Sequence, residues 1–294
     1  MAKILIVEDS PVDQMLIKRL LVRPQWVTQI ADNGKEALEL IGKVRPDIVI
    51  TDLQMPIMNG LEMVKKVRET DNSLPIVLVT AKGSEQTAVE ALRCGATSYS
   101  PKSKLASDLA ATVEQVLEMA QRMQYSHDSS FFPAPRAHAV VLKNDLKLIG
   151  PTIENMQENL PSWSDRDRLQ IGMALDEALV NAMHHGNLEV DSSMKEGDET
   201  NYYELIRERQ TKAPWNERKV RVEFEFSEEH ICIQVSDEGP GFDPSAVPDP
   251  RTPENLHRVC GRGLFLIRNF MDQVAHNAVG NQITMTKLRQ SSDA

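Results

Sequence analysis

The 294-residue sequence predicts two domains, a doubly wound α/β domain followed by an α+β domain. A prior of about 150 residues per domain gives two domains for this length. Continuous apolar runs near the N-terminus are typical of central parallel strands that helices cover on both faces. Further along, strict alternation of apolar and polar residues from Lys219 to Phe226 is typical of an antiparallel strand with one face in water.

In the first domain, apolar runs alternate with helical patterns. The predicted strands are Ile4–Val7, Asp47–Thr51 and Pro75–Val79, and the intervening helical patterns include Gly34–Val44 and Gly60–Glu69. Strands that alternate with helices predict a parallel, doubly wound (βα)5 sheet. The amphipathic stretch from Leu105 to Gln124 is expected to close this domain.

A polar stretch followed by two prolines, residues 126–135, breaks both periodicities and predicts a linker. We therefore predict domains at residues 1–124 and 136–294, joined by residues 125–135. The second domain is expected to have helices on one face of a mixed sheet. Its predicted elements are a strand Ala137–Leu142, helices Asp145–Leu160 and Asp165–His185, a hairpin Lys219–Val235, a helix Gly263–Val274 and a strand Gln282–Leu288.

Composition excludes several classes of partner. The formal net charge of −10 has the wrong sign for a protein whose main partner is nucleic acid. The longest uncharged apolar run, Leu74–Ala81, is less than half of the roughly 18 residues that span a bilayer, so we expect no membrane segment. Cys94, Cys232 and Cys260 share no close spacing, which favours a reducing, cytoplasmic location.

Polar side chains stand where the predicted strands of the first domain end. These residues are Glu8, Asp9, Asp52, Thr80 and Lys102. Ligands of open α/β sheets bind outside the carboxyl ends of the strands, so we expect these side chains to converge on one pocket. Three adjacent carboxylates need a cation, and their hard oxygen atoms suit Mg²⁺.

The same residues resemble the landmarks of response-regulator receiver domains. The matching motifs are Glu8-Asp9-Ser10, the run from Asp52 to Gly60, Thr80-Ala81, and Tyr99 three residues before Lys102. The resemblance implies a flavodoxin-like fold in which Asp52 accepts a phosphoryl group from a sensor histidine kinase. By the same resemblance, Mg²⁺ is held by Asp9, Asp52 and the Gln54 carbonyl, with Glu8 acting largely through water. Lys102 would pair with the phosphoryl group, and Thr80 and Tyr99 would respond to it.

The second domain carries a polar helix stripe and two glycine turns. Glu177, Asn181 and His185 follow i, i+4, i+8 spacing on one predicted helix. Further along, Asp237–Gly241 follows a predicted strand, and Gly261–Gly263 opens a predicted helix. A glycine turn at a helix N-terminus lets backbone N–H groups approach phosphate oxygens.

In this order the three elements resemble the GHKL (Bergerat) ATP-binding sandwich, and most closely the anti-sigma factor serine kinases. The resemblance implies that Asn181 coordinates the Mg²⁺ of ATP and that Asp237 binds the adenine amino group. It implies that Glu177 is the general base of phosphoryl transfer. The remaining implied contacts are Gly239 and Gly241 to the purine, and Gly261, Arg262 and Gly263 to the phosphates. Residues 243–260 would form the lid over the nucleotide.

Two functions remain open at this stage. In the first, the output domain is a serine/threonine kinase that phosphorylates a STAS-type anti-sigma antagonist or acts on a sigma factor. In the second, it binds nucleotide without catalysis and sequesters a partner. A hybrid histidine kinase is disfavoured because His127 lies in the linker and not on a dimerising helix.

An insert at residues 188–218 is either a partner or homodimer surface or a covering helix. The cognate kinase, the target, the sign of regulation and the oligomeric state stay open.

Overall fold

The computed structural model describes residues 1–80, 90–125, 136–160, 162–191, 194, 199–244 and 262–289. It divides into two units, Met1–Gln124 with Ser164–Leu169, and Tyr125–Trp163 with Gln170–Ala294. The linker predicted at residues 125–135 lies outside the described residues except for Tyr125.

The first unit contains a five-stranded sheet in the order β2-β1-β3-β4-β5, and all of its pairings are parallel. Its elements are β1 (Ala2–Val7), α1 (Pro11–Leu20), β2 (Trp26–Ala31), α2 (Gly34–Val44), β3 (Ile48–Asp52), α3 (Gly60–Thr70), β4 (Ile76–Thr80), β5 (Ser98–Pro101) and α4 (Leu105–Tyr125). β3 and β4 are buried throughout, as the continuous apolar runs predicted. The strand order reverses between β1 and β3, and this reversal places a crevice at the carboxyl ends of those two strands.

Local capping explains where the helices near this crevice begin. The Ser10 side chain accepts from the Asp13 N–H at the start of α1. At α3, Asn59 Oδ1 accepts from the Glu62 N–H at 2.9 Å, and Glu62 Oε2 accepts from the Asn59 N–H at 3.1 Å. This reciprocal capping box satisfies two backbone donors and fixes the turn between β3 and α3.

The second unit contains a sheet in the order β6-β7-β8-β10-β9. Its elements are β6 (Arg136–Leu142), α5 (Ile149–Glu158), α6 (Asp165–Val180), a π-helix (Asn181–Asn187), α7 (Glu199–Thr211), β7 (Val220–Phe226), β8 (His230–Ser236), α8 (Arg262–Phe270), β9 (Gln273–His276) and β10 (Gln282–Leu288). The four apolar residues of β7 are buried, as the alternation predicted. Together these elements confirm the α+β prediction.

Two details of the prediction for this unit are wrong. The described sheet is not mixed, because all four of its pairings are antiparallel. The helix predicted from Gly263 to Val274 ends at Phe270, and the chain then forms β9 at the sheet edge. Hydrogen bonds to β10 favour this outcome: the Asp272 N–H donates to the Thr286 carbonyl at 2.9 Å, and Val274 stands opposite Met285.

The predicted insert, residues 188–218, includes a helix that covers a small core of its own. α7 brings Tyr202 and Ile206 against Leu188 and Val190, and all four side chains are buried. The Tyr202 hydroxyl lies 3.1 Å from Nδ1 of His184 in the π-helix. Within the described part of the insert, α7 is therefore packed against the segment that follows the π-helix.

Replacing Tyr202 with alanine is expected to destabilise the second unit by about 3–5 kcal/mol, the usual cost of emptying a buried aromatic site. The neighbouring Tyr203, which is 47% exposed, is the matched control, and Tyr203→Ala should cost much less. Urea unfolding of both variants measures the difference in free energy of unfolding. Equal losses in the two variants would contradict this packing.

Candidate functional site

The carboxyl ends of β1 and β3 bring three predicted carboxylates together. Asp52 is the last residue of β3, and Glu8 and Asp9 directly follow β1. One carboxylate oxygen from each residue lies within 4.8 Å of the other two. Hard oxygen atoms at this separation suit a small divalent cation such as Mg²⁺, so the donor set fits the ion that the sequence predicts.

Lys102 follows β5 and reaches into the same cluster. Its Nζ donates to Glu8 Oε2 at 2.9 Å, and lies 2.8 Å from Asp52 Oδ2. Burial lowers the pKa of Lys102, but hydrogen bonds to carboxylates outweigh burial and raise the pKa above its usual value. Burial raises the pKa of Glu8, and Lys102 opposes that shift. The ammonium group thus partly neutralises a pocket that would otherwise be strongly anionic.

The sequence analysis missed a fourth carboxylate in this pocket. Asp13 Oδ2 lies 2.7 Å from Lys102 Nζ, so the ammonium contacts three carboxylates. Asp13 stands in the first turn of α1 and not at a strand end, so the rule that identified the other residues did not apply to it. The available signal was its place three residues after Ser10, which caps α1.

The loop after Asp52 fixes the direction of the Asp52 side chain. Asp52 Oδ1 accepts from the Leu53 N–H at 2.6 Å and from the Gln54 N–H at 3.3 Å, which leaves Oδ2 toward Lys102. Gly60 closes the loop, since a Cβ at this position would lie 2.1 Å from the Asp52 carbonyl oxygen. Only glycine allows this approach of the two backbone segments.

Thr80 and Tyr99 lie on the neighbouring strands. Thr80 ends β4, is 5% exposed, and stands opposite Pro101, the residue before Lys102. Tyr99 lies in β5 opposite Leu78 and is 4% exposed. The register therefore places Thr80 at the same edge of the sheet as Lys102.

In the second unit, the start of α8 lies directly against the polar stripe of α6. A Cβ on Gly263 would lie 2.6 Å from Glu177 Oε2 and 3.4 Å from Asn181 Nδ2. Three of the predicted residues therefore meet at one place. Of the other predicted phosphate contacts, Arg262 begins α8, whereas Gly261 lies outside the described residues, as do residues 245–260 of the predicted lid.

The π-helix and the turn after β8 form a second close contact. A Cβ on Gly186 would lie 2.4 Å from Asp237 Cγ, and a Cβ on Gly239 would lie 2.2 Å from the Gly186 carbonyl oxygen. The Gly239 N–H donates to Asp237 Oδ1 at 2.9 Å. Burial raises the pKa of Asp237 to about 6, although the Gly239 N–H and Arg218 oppose the shift.

Gly241 and His185 have backbone neighbours that the sequence did not indicate. Gly241 has φ +75°, and a Cβ there would lie 2.1 Å from the Val279 carbonyl oxygen, so the turn itself requires glycine. His185 Nδ1 lies against the Val190 carbonyl oxygen at the start of the insert. The α-helix that carries Glu177 ends at Val180, so the regular helix predicted to His185 is wrong beyond that residue. Asn181 and His185 lie in the π-helix, and His185 contacts the insert.

Comparison with known families matches both units. The model of the response regulator receiver domain matches residues 4–114. The model of the histidine kinase-like ATPase domain matches residues 143–287.

Two similar curated proteins each match part of this chain. Regulatory protein AtoC of Escherichia coli is 35% identical over 117 residues, which are 40% of this chain and 25% of that protein. Transcriptional regulatory protein TrcR of Mycobacterium tuberculosis is 30% identical over 159 residues, 54% of this chain and 58% of that protein. The chain thus spans between a quarter and about three fifths of the length of these two relatives.

One similar solved structure is response regulator protein TrrA from Thermotoga maritima in complex with Mg²⁺-BeF. It is 30% identical, covers 39% of this chain and 98% of its own, and has a TM-score of 0.36.

Among the described residues, no helix is both long and apolar enough to cross a membrane.

If Asp237 binds the adenine amino group, as the resemblance implies, its raised pKa predicts that affinity for ATP decreases as the pH falls through about 6. The ionised carboxylate can accept a hydrogen bond from the adenine amino group, whereas protonation removes part of that capacity. Calorimetric titrations between about pH 5 and pH 8 measure the change. Glu238→Gln, which removes the neighbouring carboxylate, should keep the decrease, and an unchanged wild-type affinity across this range would contradict the assignment.

Proposed function

Because the chain carries a response regulator receiver domain followed by a histidine kinase-like ATPase domain, we propose that phosphorylation of Asp52 controls an ATP-dependent output. The phosphodonor in this proposal is a sensor histidine kinase. The proposed output is an anti-sigma-type serine/threonine kinase activity on a STAS-type antagonist or on a sigma factor. The match covers only a quarter of AtoC and 58% of TrcR, so the proposed output is argued from the second unit of this chain.

The geometry around Asp52 supports its role as phosphoacceptor. Its Oδ2 faces Lys102, while its Oδ1 is held by backbone N–H groups. A carboxylate that attacks a phosphoryl group needs nearby positive charge to stabilise the transition state. Lys102 supplies one positive charge, and Glu8, Asp9 and Asp52 would hold the Mg²⁺ that supplies the rest.

The contact between Glu177 and the start of α8 is the single observation that carries the kinase proposal. The Glu177 carboxylate lies beside Gly263, where the resemblance places the nucleotide phosphates, and beside Asn181, where it places their Mg²⁺. A general base must lie within one hydrogen bond of the hydroxyl that it deprotonates. Glu177 would therefore take the proton from a substrate serine or threonine as the hydroxyl attacks the terminal phosphate.

The folded insert favours a second candidate function. α7 and the segments beside it form a small core of their own, so the insert is a folded element that can contact a partner. In the alternative, the second domain binds ATP, does not transfer phosphate, and sequesters a partner according to the state of Asp52. The two candidates share the ATP site and differ in whether Glu177 acts as a base.

Replacing Asp52 with asparagine is expected to abolish phosphate incorporation from acetyl phosphate or a cognate kinase, because the amide is no longer an anionic nucleophile. Asp47, which is exposed and immediately precedes β3, provides the matched control, and Asp47→Asn should be labelled like the wild type. Phosphate-affinity electrophoresis measures the modified fraction. Wild-type labelling of the Asp52→Asn variant would contradict the proposal.

Replacing Glu177 with glutamine is expected to leave ATP binding intact and to lower phosphoryl transfer to a STAS protein by roughly 10²–10⁴-fold. Asp176→Asn, at the adjacent helix position, is the control and should transfer phosphate normally. Calorimetry measures binding, and labelled ATP measures transfer.

Comparison of the wild-type protein with Glu177→Gln separates the two candidate functions. If the wild-type protein transfers no phosphate and Glu177→Gln still regulates normally in cells, the kinase proposal is wrong and the binding module remains.

A further inference from the structure

A buried side-chain amide connects the π-helix to the turn that contains Asp237. Asn187 is fully buried, and its Oδ1 accepts from the Glu238 N–H at 2.8 Å. Its Nδ2 donates to Asn144 Oδ1 at 2.8 Å. Both ends of the amide are thus engaged, so its orientation is fixed and Glu238 is held by its backbone.

Asn144 is in turn held by the last turn of α7 and by the segment that follows α7. Its Nδ2 donates to the carbonyl oxygens of Trp215 and Arg218, at 3.0 and 3.3 Å. Its own carbonyl oxygen accepts from Gln210 Nε2 at 2.8 Å. The residues that fix Asn144 therefore belong to the insert and its end.

Arg218 ties the end of the insert to the π-helix, and Lys219 ties it to the turn after β8. Arg218 Nη1 donates to the Asn187 carbonyl at 2.8 Å and to Glu189 Oε1 at 2.7 Å. The next residue, Lys219, donates its N–H to Glu238 Oε2 at 2.8 Å. Glu238 is consequently held at its backbone through Asn187 and at its side chain through the end of the insert.

We propose that Asn144 and Arg218 are positioning residues of the nucleotide site, which hold the Asp237–Gly239 turn through Asn187 and make ATP affinity depend on the insert. The inference rests on the proposed function, since it deepens the role of the same ATP site. In this proposal the insert helps to position the ATP site, and its helix also covers a small core.

The packing of the turn explains why support from a distance matters. A Cβ at Gly186 would lie 2.4 Å from Asp237 Cγ, and a Cβ at Gly239 would lie 2.2 Å from the Gly186 carbonyl oxygen, so the π-helix already touches both the Asp237 side chain and the backbone of the turn. Because there is no free space between the π-helix and the turn, a small displacement of Glu238 also displaces the Asp237 carboxylate. Hydrogen bonds to adenine depend strongly on distance and angle, so a misplaced carboxylate loses affinity.

The test compares Arg218→Ala with Arg221→Ala in the full-length protein. Both changes remove a positive charge, but Arg221 pairs with Glu223 on the exposed side of β7 and does not contact the network. We expect ATP affinity to fall roughly 10-fold in Arg218→Ala, because it loses charged hydrogen bonds, and to stay unchanged in Arg221→Ala. Circular dichroism and thermal melting confirm that each variant is folded.

The pH profile of ATP affinity provides a readout that general destabilisation would not move. Among the described residues, Arg218 is the charged side chain that acts on Asp237, and it lowers the pKa of that carboxyl group. Arg218→Ala should therefore shift the midpoint of the pH profile upward. Asn144→Ala removes hydrogen bonds without removing charge, so it should weaken binding and leave the midpoint in place.

The outcomes are distinct. Weaker ATP binding by folded Arg218→Ala and Asn144→Ala, with normal binding by Arg221→Ala, supports the inference. Wild-type affinity in both network variants overturns it and leaves the proposed function intact. If Arg218→Ala does not fold, Asn144→Ala alone decides. If the wild-type protein binds no ATP, the proposed function fails and the inference fails with it.

Discussion

The arrangement of side chains in the first unit's pocket depends on the repulsion among carboxylates that a parallel sheet brings to one edge. Parallel strands end on the same side, so Glu8 and Asp52 must lie close together once β1 pairs with β3. Both are nearly excluded from water, with side chains 1% and 8% exposed, and uncompensated charges there would be costly. Lys102 offsets this cost with one ammonium group, and Asp13 holds that group from α1. Among the described residues, the ammonium group of Lys102 thus neutralises part of the negative charge in the pocket, and phosphorylation or a metal ion would rearrange its contacts.

Much of this arrangement could be predicted from the sequence, because hydrophobic periodicity locates strands and strand ends locate ligands. The runs before Asp52 and Thr80 are buried strands in the structure, and α2 has the predicted bounds. In the second unit, the alternation of β7 correctly assigned its buried face. Glu177 and Asn181 likewise lie together because spacing of four residues places side chains on one face of a helix.

Other features could not be predicted, because they depend on side-chain direction and on pairing between distant segments. Asp13 joins the pocket through its position on a helix, which strand periodicity does not report. β9 is only four residues long, and hydrogen bonds to β10 decide its conformation against the helical pattern that precedes it. Asn144 and Arg218 are 74 residues apart in sequence and meet through backbone carbonyl and amide groups. No local sequence pattern predicts such a contact, and the pairing of β10 with β8 likewise joins segments that are distant in sequence.

In the π-helix from Asn181 to Asn187, the number of residues and the helical winding together set where the last residues of the segment point. A π-helix closes its hydrogen bonds one residue later than an α-helix, so it is equivalent to a residue inserted into a regular helix. Winding the same residues as a regular α-helix would rotate everything beyond the segment by about 100° relative to Glu177, because each residue of an α-helix turns by about 100°. Gly186 and Asn187 would then turn away from Asp237 and Glu238, although every residue type in the motif could be retained. A related chain with one residue fewer here would reach the same geometry with regular α-helical winding, so a one-residue gap in this segment does not mark the loss of the site.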